Sequence, residues 1–183
     1  HHAVPVASRD EVDAHVETAR RAQGEWWTRG AAARAEILRV AAARFAADRR
    51  TTIALMMHEA GKTFAEADPE VSEAVDFARF YALAALRSCD GNSKPLGVVA
   101  VVPPWNFPYA IPAGGVCAAL AAGNSVILKP APETVQVARH LAEQLWAAGV
   151  PRDVLHFVRT NDDEVGRRLV THEAIAAVVL TGG

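Results

Sequence analysis

The chain has 183 residues, of which 51% are hydrophobic and 22% charged, and its formal net charge is -2. This balance is typical of a soluble globular protein that is long enough to bury a core. The small net charge gives no reason to expect nucleic acid or an anionic membrane as a partner, and every apolar stretch is interrupted before the ~20 residues that a membrane span requires. Cys89 and Cys117 form no spaced pair typical of a metal site or a disulfide, so a reducing cytoplasm is the expected location.

Residues 1–94 are predicted to form a helical N-terminal segment. Ser8 or Asp10 can cap a first helix that runs towards Trp26. Two further segments carry apolar residues at helical spacing, and Gly61 follows them as a left-handed helix stop. These apolar residues are Leu38, Ala41, Ala42 and Phe45 in one segment, and Ile53, Met56, Met57 and Ala60 in the other.

Asp68-Pro69 is predicted to be an N-cap followed by a first-turn proline, which opens a helix that ends near Leu86. Two apolar stripes on this helix indicate that neighbours cover it on more than one side. The Met56-Met57 pair and the aromatic stripe are expected in the core. The stripes comprise Val71, Ala74, Val75 and Ala78, and Phe77, Phe80, Tyr81 and Ala84.

Residues 95–183 alternate between short apolar runs and helical patterns, which is typical of crossover units in a parallel sheet. The predicted fold class is therefore α/β, with the helical segment followed by an open, mostly parallel, Rossmann-like sheet. The predicted strands are Gly97–Val102, Ser125–Lys129, Val154–Val158 and Ala176–Leu180, and the predicted helices are one ending at Gly123-Asn124, Glu133–Ala148 and Asp162–Val170.

Three turns follow the predicted strands, at Pro103–Pro108, Lys129–Thr134 and Thr181–Gly183. Open parallel sheets bind ligands beyond the carboxyl ends of their strands, so these turns are the candidate site. The glycine pattern G-x-G-x-x-G does not occur in the sequence, so the ordinary dinucleotide fingerprint is missing. The residue pattern alone predicts a ligand site and leaves the ligand open.

The three turns carry the motifs WNFP, AAGN, K-P and TGG. At these spacings, the run GVVAVVPPWNFPYAIPAGGVCAALAAGNSVILKPAPET resembles the aldehyde dehydrogenase superfamily along its length. LTGG resembles the family's F-T-G-S, which implies that Thr181 and Gly182 open the turn facing the cofactor pyrophosphate. The resemblance implies an NAD(P)-dependent oxidation of an aldehyde. It also implies that residues 95–183 form only the first part of the cofactor-binding domain, and that the full-length protein is a homo-oligomer.

The resemblance also assigns roles to residues in the first two turns. Asn106 matches the family asparagine whose amide stabilises the oxyanion formed when a thiolate attacks an aldehyde, a role that suits a preorganised donor; satisfying turn backbone is the alternative. Lys129 matches the lysine that contacts the adenosine ribose, with an ordinary solvated lysine as the alternative. Pro104 and Trp105 match positions near the cofactor, and Trp105 has packing as its alternative role.

The cofactor is expected to be NAD, with NADP as the open alternative. Many NAD-using relatives have a glutamate at the third position after that lysine, where it binds the ribose hydroxyls. This sequence has Pro132 there, and Glu133 stands one residue later. Glu133 is therefore the candidate for the ribose contact.

Cys117 does not match the catalytic motif of the family, although the reaction needs a cysteine nucleophile. It lies in an alanine-rich helix, where a buried, inert thiol is expected. The family's nucleophile and its glutamate general base come later than the segment that this sequence matches. The chain alone is therefore expected to be inactive.

The run EAGKTFAEADPEVSEAVDFARFYA resembles this segment in L-glutamate γ-semialdehyde (pyrroline-5-carboxylate) dehydrogenases, some of which are fused to proline dehydrogenase. The resemblance implies that Phe107 packs against the aliphatic part of the substrate. Glu73 is a second candidate, because a carboxylate on the Phe77 and Phe80 stripe would be costly to bury without a partner; its alternative is a solvated or salt-bridged residue. Succinate semialdehyde or another small aldehyde remains an alternative substrate, and a non-catalytic nucleotide-binding module remains an alternative function.

Overall fold

The computed structural model describes residues 4–87 and 93–182, so Cys89 and Gly183 lie outside the described residues. Its order of helices and strands confirms the predicted α/β class. The helices are α1 Arg9–Thr28, α2 Ala31–Ala47, α3 Arg49–Glu59, α4 Phe64–Arg87, α5 Ala110–Ala121, α6 Val135–Ala147 and α7 Glu164–Val170. The strands are β1 Val98–Val102, β2 Ser125–Leu128, β3 Leu155–Phe157 and β4 Ile175–Leu180, and a 3-10 turn spans Pro132–Thr134.

The four strands form one parallel sheet in the order β3-β2-β1-β4. Val99 of β1 lies opposite Val126 of β2 on one side and Ala177 of β4 on the other. Because all the strands run the same way, their carboxyl ends lie at one edge of the sheet. The predicted parallel architecture is confirmed.

Helices cover both faces of the central strands. On one face, Val98 and Ile127 pack with Val12 and Val16 of α1. The alternate residues of β1 and β2 face a larger core built from α2, α4, α5 and α6. This burial on two sides explains why the strands are continuously apolar. The apolar core includes residues from both sides of the predicted boundary between residues 94 and 95, and that boundary stays a prediction.

Helix α4 begins earlier than predicted. The Glu66 carboxylate accepts hydrogen bonds from the backbone N–H and the hydroxyl of Thr63, each 2.8 Å long, so the first turn forms before Asp68. Pro69 consequently lies inside the helix, where it loses one bond to the Ala65 carbonyl. The N-cap assignment of Asp68 was wrong, and its carboxylate instead pairs with Arg49 of α3.

Two apolar residues predicted to lie in the core are exposed. Met56 is fully buried, but Met57 is 45% exposed because the next residue along a helix points about 100° away. Phe80 is 61% exposed, because α4 packs through the stripe that contains Ala78 instead. Two helix boundaries agree with the sequence: Ser8 rather than Asp10 caps α1, and Gly61 has the left-handed φ of 68° expected of a stop.

Candidate functional site

The three candidate turns meet at the carboxyl edge of the sheet. The Lys129 N–H donates to the Val101 carbonyl at 3.0 Å, and the Thr181 N–H donates to the Val102 carbonyl at 3.2 Å. Gly182 lies so close to Pro104 that a Cβ added to this glycine would be 3.0 Å from the proline Cβ. Since Gly182 also has a φ of 104°, the turn after β4 approaches the turn after β1 through a backbone that a side chain would obstruct.

The turn after β1 presents three consecutive side chains to solvent. Trp105 is 54% exposed, Phe107 is 43% exposed, and Asn106 between them is exposed as well. The chain then enters α5, and Tyr109 is fully buried. This arrangement leaves the Asn106 amide accessible to a ligand while the following helix is fixed in the core.

A buried carboxylate that the sequence analysis missed holds the start of α5. Glu70 of α4 is 2% exposed, and its Oε2 accepts hydrogen bonds from the N–H groups of Tyr109 and Ala110, both 3.1 Å long. The Lys62 ammonium pairs with the same carboxylate and lies 4.4 Å from the centroid of the Phe107 ring. The sequence does hold a signal for Glu70, because this acidic residue interrupts an otherwise apolar stripe of α4.

Glu73 is exposed, so the argument that it is a charge buried among aromatic side chains was wrong. It lies one helical turn beyond Glu70, and the packing of α4 turns Glu70 inward instead. Glu73 lines an open groove of about 760 Å³ with the aromatic rings of Phe77, Phe80 and Tyr81, and with Asp76. In this groove the carboxylates of Glu73 and Asp76 lie beside the aromatic rings.

Lys129 is only 5% exposed, which argues against the alternative of an ordinary solvated lysine at this strand end. Its Nζ lies 2.7 Å from Oδ1 of Asp162, which precedes α7 and compensates the buried charge. Lys129 lines an open cavity of about 760 Å³ with Val102, Asp162, Val178 and Leu180. A cationic donor in a partly apolar cavity at strand ends fits a nucleotide cofactor.

Glu133 is exposed on the 3-10 turn and is not among the residues that line the Lys129 cavity. The structure therefore brings Pro104, Thr181 and Gly182 together with Lys129 at one edge, and leaves Glu133 outside the cavity wall. Ribose recognition by Glu133 stays a prediction.

Cys117 is completely buried in α5, which confirms the expected environment of this thiol. Burial raises its pKa to about 12, so the reactive thiolate is disfavoured there. Within residues 4–87 and 93–182, no cluster of histidine, cysteine or acidic residues is placed to hold a metal ion. No helix in these same ranges is long and apolar enough to cross a membrane.

Comparison with known proteins identifies the family. The model of the aldehyde dehydrogenase family matches residues 2–183, and the chain belongs to this family. It is 36% identical to 1-pyrroline-5-carboxylate dehydrogenase of Staphylococcus epidermidis, and the match covers 98% of this chain and 37% of that protein.

Solved structures share the same architecture. A crystal structure of Bradyrhizobium japonicum proline utilization A matches with a TM-score of 0.90 at 36% identity, covering 97% of this chain and 20% of that one. An NAD-dependent benzaldehyde dehydrogenase of Corynebacterium glutamicum matches with a TM-score of 0.91 at 31% identity, covering 97% of this chain and 42% of the other. The chain therefore spans less than half the length of each of these proteins.

Proposed function

We propose that this chain is the N-terminal, cofactor-binding portion of an NAD(P)-dependent aldehyde dehydrogenase that oxidises L-glutamate γ-semialdehyde to L-glutamate in proline catabolism. The observation that carries the proposal is the exposed Asn106 in the turn after β1, at the same carboxyl edge of the sheet as the Lys129 cavity, in a chain 36% identical to a 1-pyrroline-5-carboxylate dehydrogenase. Family membership supports the reaction type, and that relative supports the substrate.

In this proposal Asn106 acts on the carbonyl oxygen of the aldehyde. Attack by a thiolate on the carbonyl carbon places negative charge on that oxygen, and the amide N–H of Asn106 stabilises it. Bound NAD(P) supplies the hydride acceptor. Cys117 is too deeply buried to be the nucleophile. The resemblance to the family implies that the nucleophile and the general base lie in a further part of the protein, and on this proposal the chain alone is inactive.

Cofactor binding is assigned to Lys129, Pro104, Trp105, Thr181 and Gly182. The buried ammonium of Lys129 and the close backbone approach at Gly182 support this assignment, because an ammonium can donate hydrogen bonds to the oxygens of a dinucleotide and backbone N–H groups bind its phosphates. NAD is the proposed cofactor, and the NAD dependence of the benzaldehyde dehydrogenase relative supports it. Titration of NAD and NADP into the complete protein tests this choice, and tighter binding of NADP would overturn it.

Phe107 and Glu73 are the proposed substrate contacts. Phe107 stands next to Asn106 with its ring partly exposed, and Glu73 lines the aromatic groove on α4. In the complete protein we expect Glu73→Ala to reduce kcat/KM for glutamate semialdehyde by more than its loss for propanal. Equal losses for the two aldehydes would remove Glu73 from substrate recognition.

The test of the whole proposal is NADH formation by the complete protein with glutamate semialdehyde, succinate semialdehyde and propanal. A strong preference for the first supports the proline-catabolic role, and equal use of all three leaves only the general reaction. Removing an oxyanion donor costs about 100- to 1000-fold in kcat, so Asn106→Ala should lose activity on that scale. An inactive complete protein would favour a non-catalytic nucleotide-binding module.

Two properties of the complete protein remain proposals. Homo-oligomerisation is expected for the family. Fusion to a proline dehydrogenase is supported by the likeness to proline utilization A, of which this chain covers only 20%. The mass of the purified complete protein and its oxidation of proline test both.

A further inference from the structure

The turn that carries Asn106 is held from both sides by residues outside it. At its start, Pro104 packs against Gly182 in the turn after β4. At its end, the Glu70 carboxylate accepts hydrogen bonds from the Tyr109 and Ala110 N–H groups. Asn106 lies between these two supports and keeps its side chain exposed.

The second support depends on a carboxylate from another helix, because α5 has no side-chain cap of its own. The first N–H groups of a helix lack partners within it, and they carry partial positive charge that favours an anion. Pro112 contributes no N–H, so few N–H groups at the start of α5 need a partner. Glu70 accepts hydrogen bonds from two of them, those of Tyr109 and Ala110. A buried carboxylate normally needs a compensating cation, which Lys62 supplies.

Lys62 connects this support to the exposed side of the turn. Its side chain is 12% exposed, and its ammonium contacts both the Glu70 carboxylate and the face of the Phe107 ring. A cation that is partly desolvated over an aromatic ring is held by the ring electrons. Phe107 directly follows Asn106, so the same ion pair constrains the backbone on the carboxyl side of the asparagine.

We propose that Glu70 and Lys62 are positioning residues for the Asn106 oxyanion donor. The inference rests on the proposed function. Glu70 fixes where α5 begins, and Lys62 fixes the Phe107 ring, so together they set the direction of the Asn106 amide. A displacement of about 1 Å in a catalytic group can cost on the order of 100-fold in rate, so this buried pair controls kcat without touching the substrate.

The chain contains a matched control for this arrangement. Glu59, near the end of α3, accepts hydrogen bonds from the Gln136 and Val137 N–H groups at 2.9 Å and 2.8 Å. It therefore caps α6 from outside just as Glu70 caps α5, but the helix it caps does not follow Asn106. Glu59→Gln reports what the loss of such a cap does at a helix that does not follow Asn106.

The first experiment measures hydrogen exchange of the segment 103–112 in the complete protein, and it needs no enzymatic activity. We expect Glu70→Gln and Lys62→Met to accelerate exchange there, with Glu59→Gln accelerating exchange only around residues 135–138. Unchanged exchange at 103–112 in Glu70→Gln, in a folded protein, would overturn the inference even if the proposed reaction were correct.

The second experiment is a double-mutant cycle at saturating aldehyde and cofactor. We expect Glu70→Gln to lower kcat about tenfold when Asn106 is present and less than about twofold in the Asn106→Ala background, because residues that act through one group are not additive. The KM for NAD should stay unchanged, and Glu59→Gln should keep its kcat. Equal losses in both backgrounds would assign Glu70 a structural role only. If wild type oxidises no aldehyde, the proposed function fails while the exchange result still decides whether the turn is held.

Discussion

At the scale of single residues, the most informative property of Lys129 is that its side chain is buried. Its ammonium lies at the wall of the strand-end cavity and is paired with Asp162, whose own side chain is 73% exposed. In the proposed site the Lys129 ammonium contacts the cofactor directly, and Asp162 only orients that ammonium and compensates its charge.

We therefore expect Lys129→Met in the complete protein to raise the Kd for NAD about tenfold, which corresponds to about 1.4 kcal/mol. Asp162→Asn, which keeps the lysine, should change the Kd by less than about threefold. Quenching of tryptophan fluorescence during NAD titration measures both constants. Equal weakening by the two variants would show that the ion pair, rather than the ammonium, supports binding.

Glu70 and Glu73 show where sequence reasoning about residues reached its limit. Both are acidic residues on α4, three positions apart, and the helix has apolar residues on more than one side. The sequence cannot say which side faces α5, because that depends on packing with α2 and α5. The aromatic stripe in the sequence favours Glu73 as the functional carboxylate. The stripe that packs against the core is instead the one of smaller residues, and it buries Glu70.

At the scale of helices and strands, the contact between α1 and β3 contains a histidine pair. Nδ1 of His15 lies 3.0 Å from Nδ1 of His156, and Nε2 of His156 donates to the Asp153 carbonyl at 3.1 Å. Burial and the neighbouring His15 lower the pKa of His156 to about 4, and burial also lowers the pKa of His15. The Glu11 carboxylate opposes the shift of the His15 pKa, and the hydrogen bond to the Asp153 carbonyl, followed by the Asp153 carboxylate, opposes that of the His156 pKa.

A histidine whose pKa is lowered by folding leaves the stability unchanged above its unfolded pKa of about 6.5 and reduces it below that pH. Between about pH 6.5 and pH 4 the unfolded chain binds more protons, so the free energy of unfolding falls as the pH falls. His156→Gln should remove part of this loss, on the order of 2 kcal/mol between about pH 7 and pH 4.5. Urea denaturation at both pH values measures it, with the exposed His58→Gln as control; the same pH dependence in His156→Gln and wild type would contradict the prediction.

The corner between α5 and β2 depends on Gly123. This residue has a φ of 85°, and a Cβ added there would lie 2.4 Å from the Trp27 ring. Gly30 has a similar φ of 82°, but nothing lies within 4 Å of its added Cβ. Alanine substitutions at these two glycines therefore distinguish the cost of backbone strain from the cost of steric overlap with Trp27.

Gly30→Ala should cost only backbone strain, about 1–3 kcal/mol, because the φ of 82° and ψ of 158° at Gly30 lie in a region that is almost exclusive to glycine. Gly123→Ala adds overpacking against Trp27, for a total of about 2–4 kcal/mol. The free energies of unfolding from urea denaturation check both values. Equal destabilisation would mean that Trp27 moves aside without cost.

At this scale the strands were predicted almost to the residue, because β1 and β2 are buried on both faces and their apolar runs are continuous. The start of α4 was misplaced because two capping signals compete within six residues. Thr63 and Glu66 have the spacing of a capping box, and Asp68-Pro69 has the pattern of a cap with a first-turn proline. Arg49 decides between them by binding Asp68, which is a tertiary contact that no local pattern reveals.

At the scale of the whole molecule, the sheet has one strongly apolar border. Strand β4 pairs with β1 on one side and, within residues 4–87 and 93–182, with no strand on the other. Val178, Val179 and Leu180 of this strand are 41%, 40% and 68% exposed. An exposed apolar edge strand is a template for pairing with another chain.

We therefore expect the 183-residue chain alone to self-associate through β4. Sedimentation velocity over a range of concentrations should show association in the unmodified chain and a mainly monomeric species in Leu180→Lys, because an edge lysine disfavours strand pairing. Leu83→Lys on α4 is the matched control, since Leu83 is similarly exposed at 55% but lies on a helix. It should leave the association unchanged; dispersal by Leu83→Lys and not by Leu180→Lys would place the contact on the helical face and leave the edge of the sheet without a role in it.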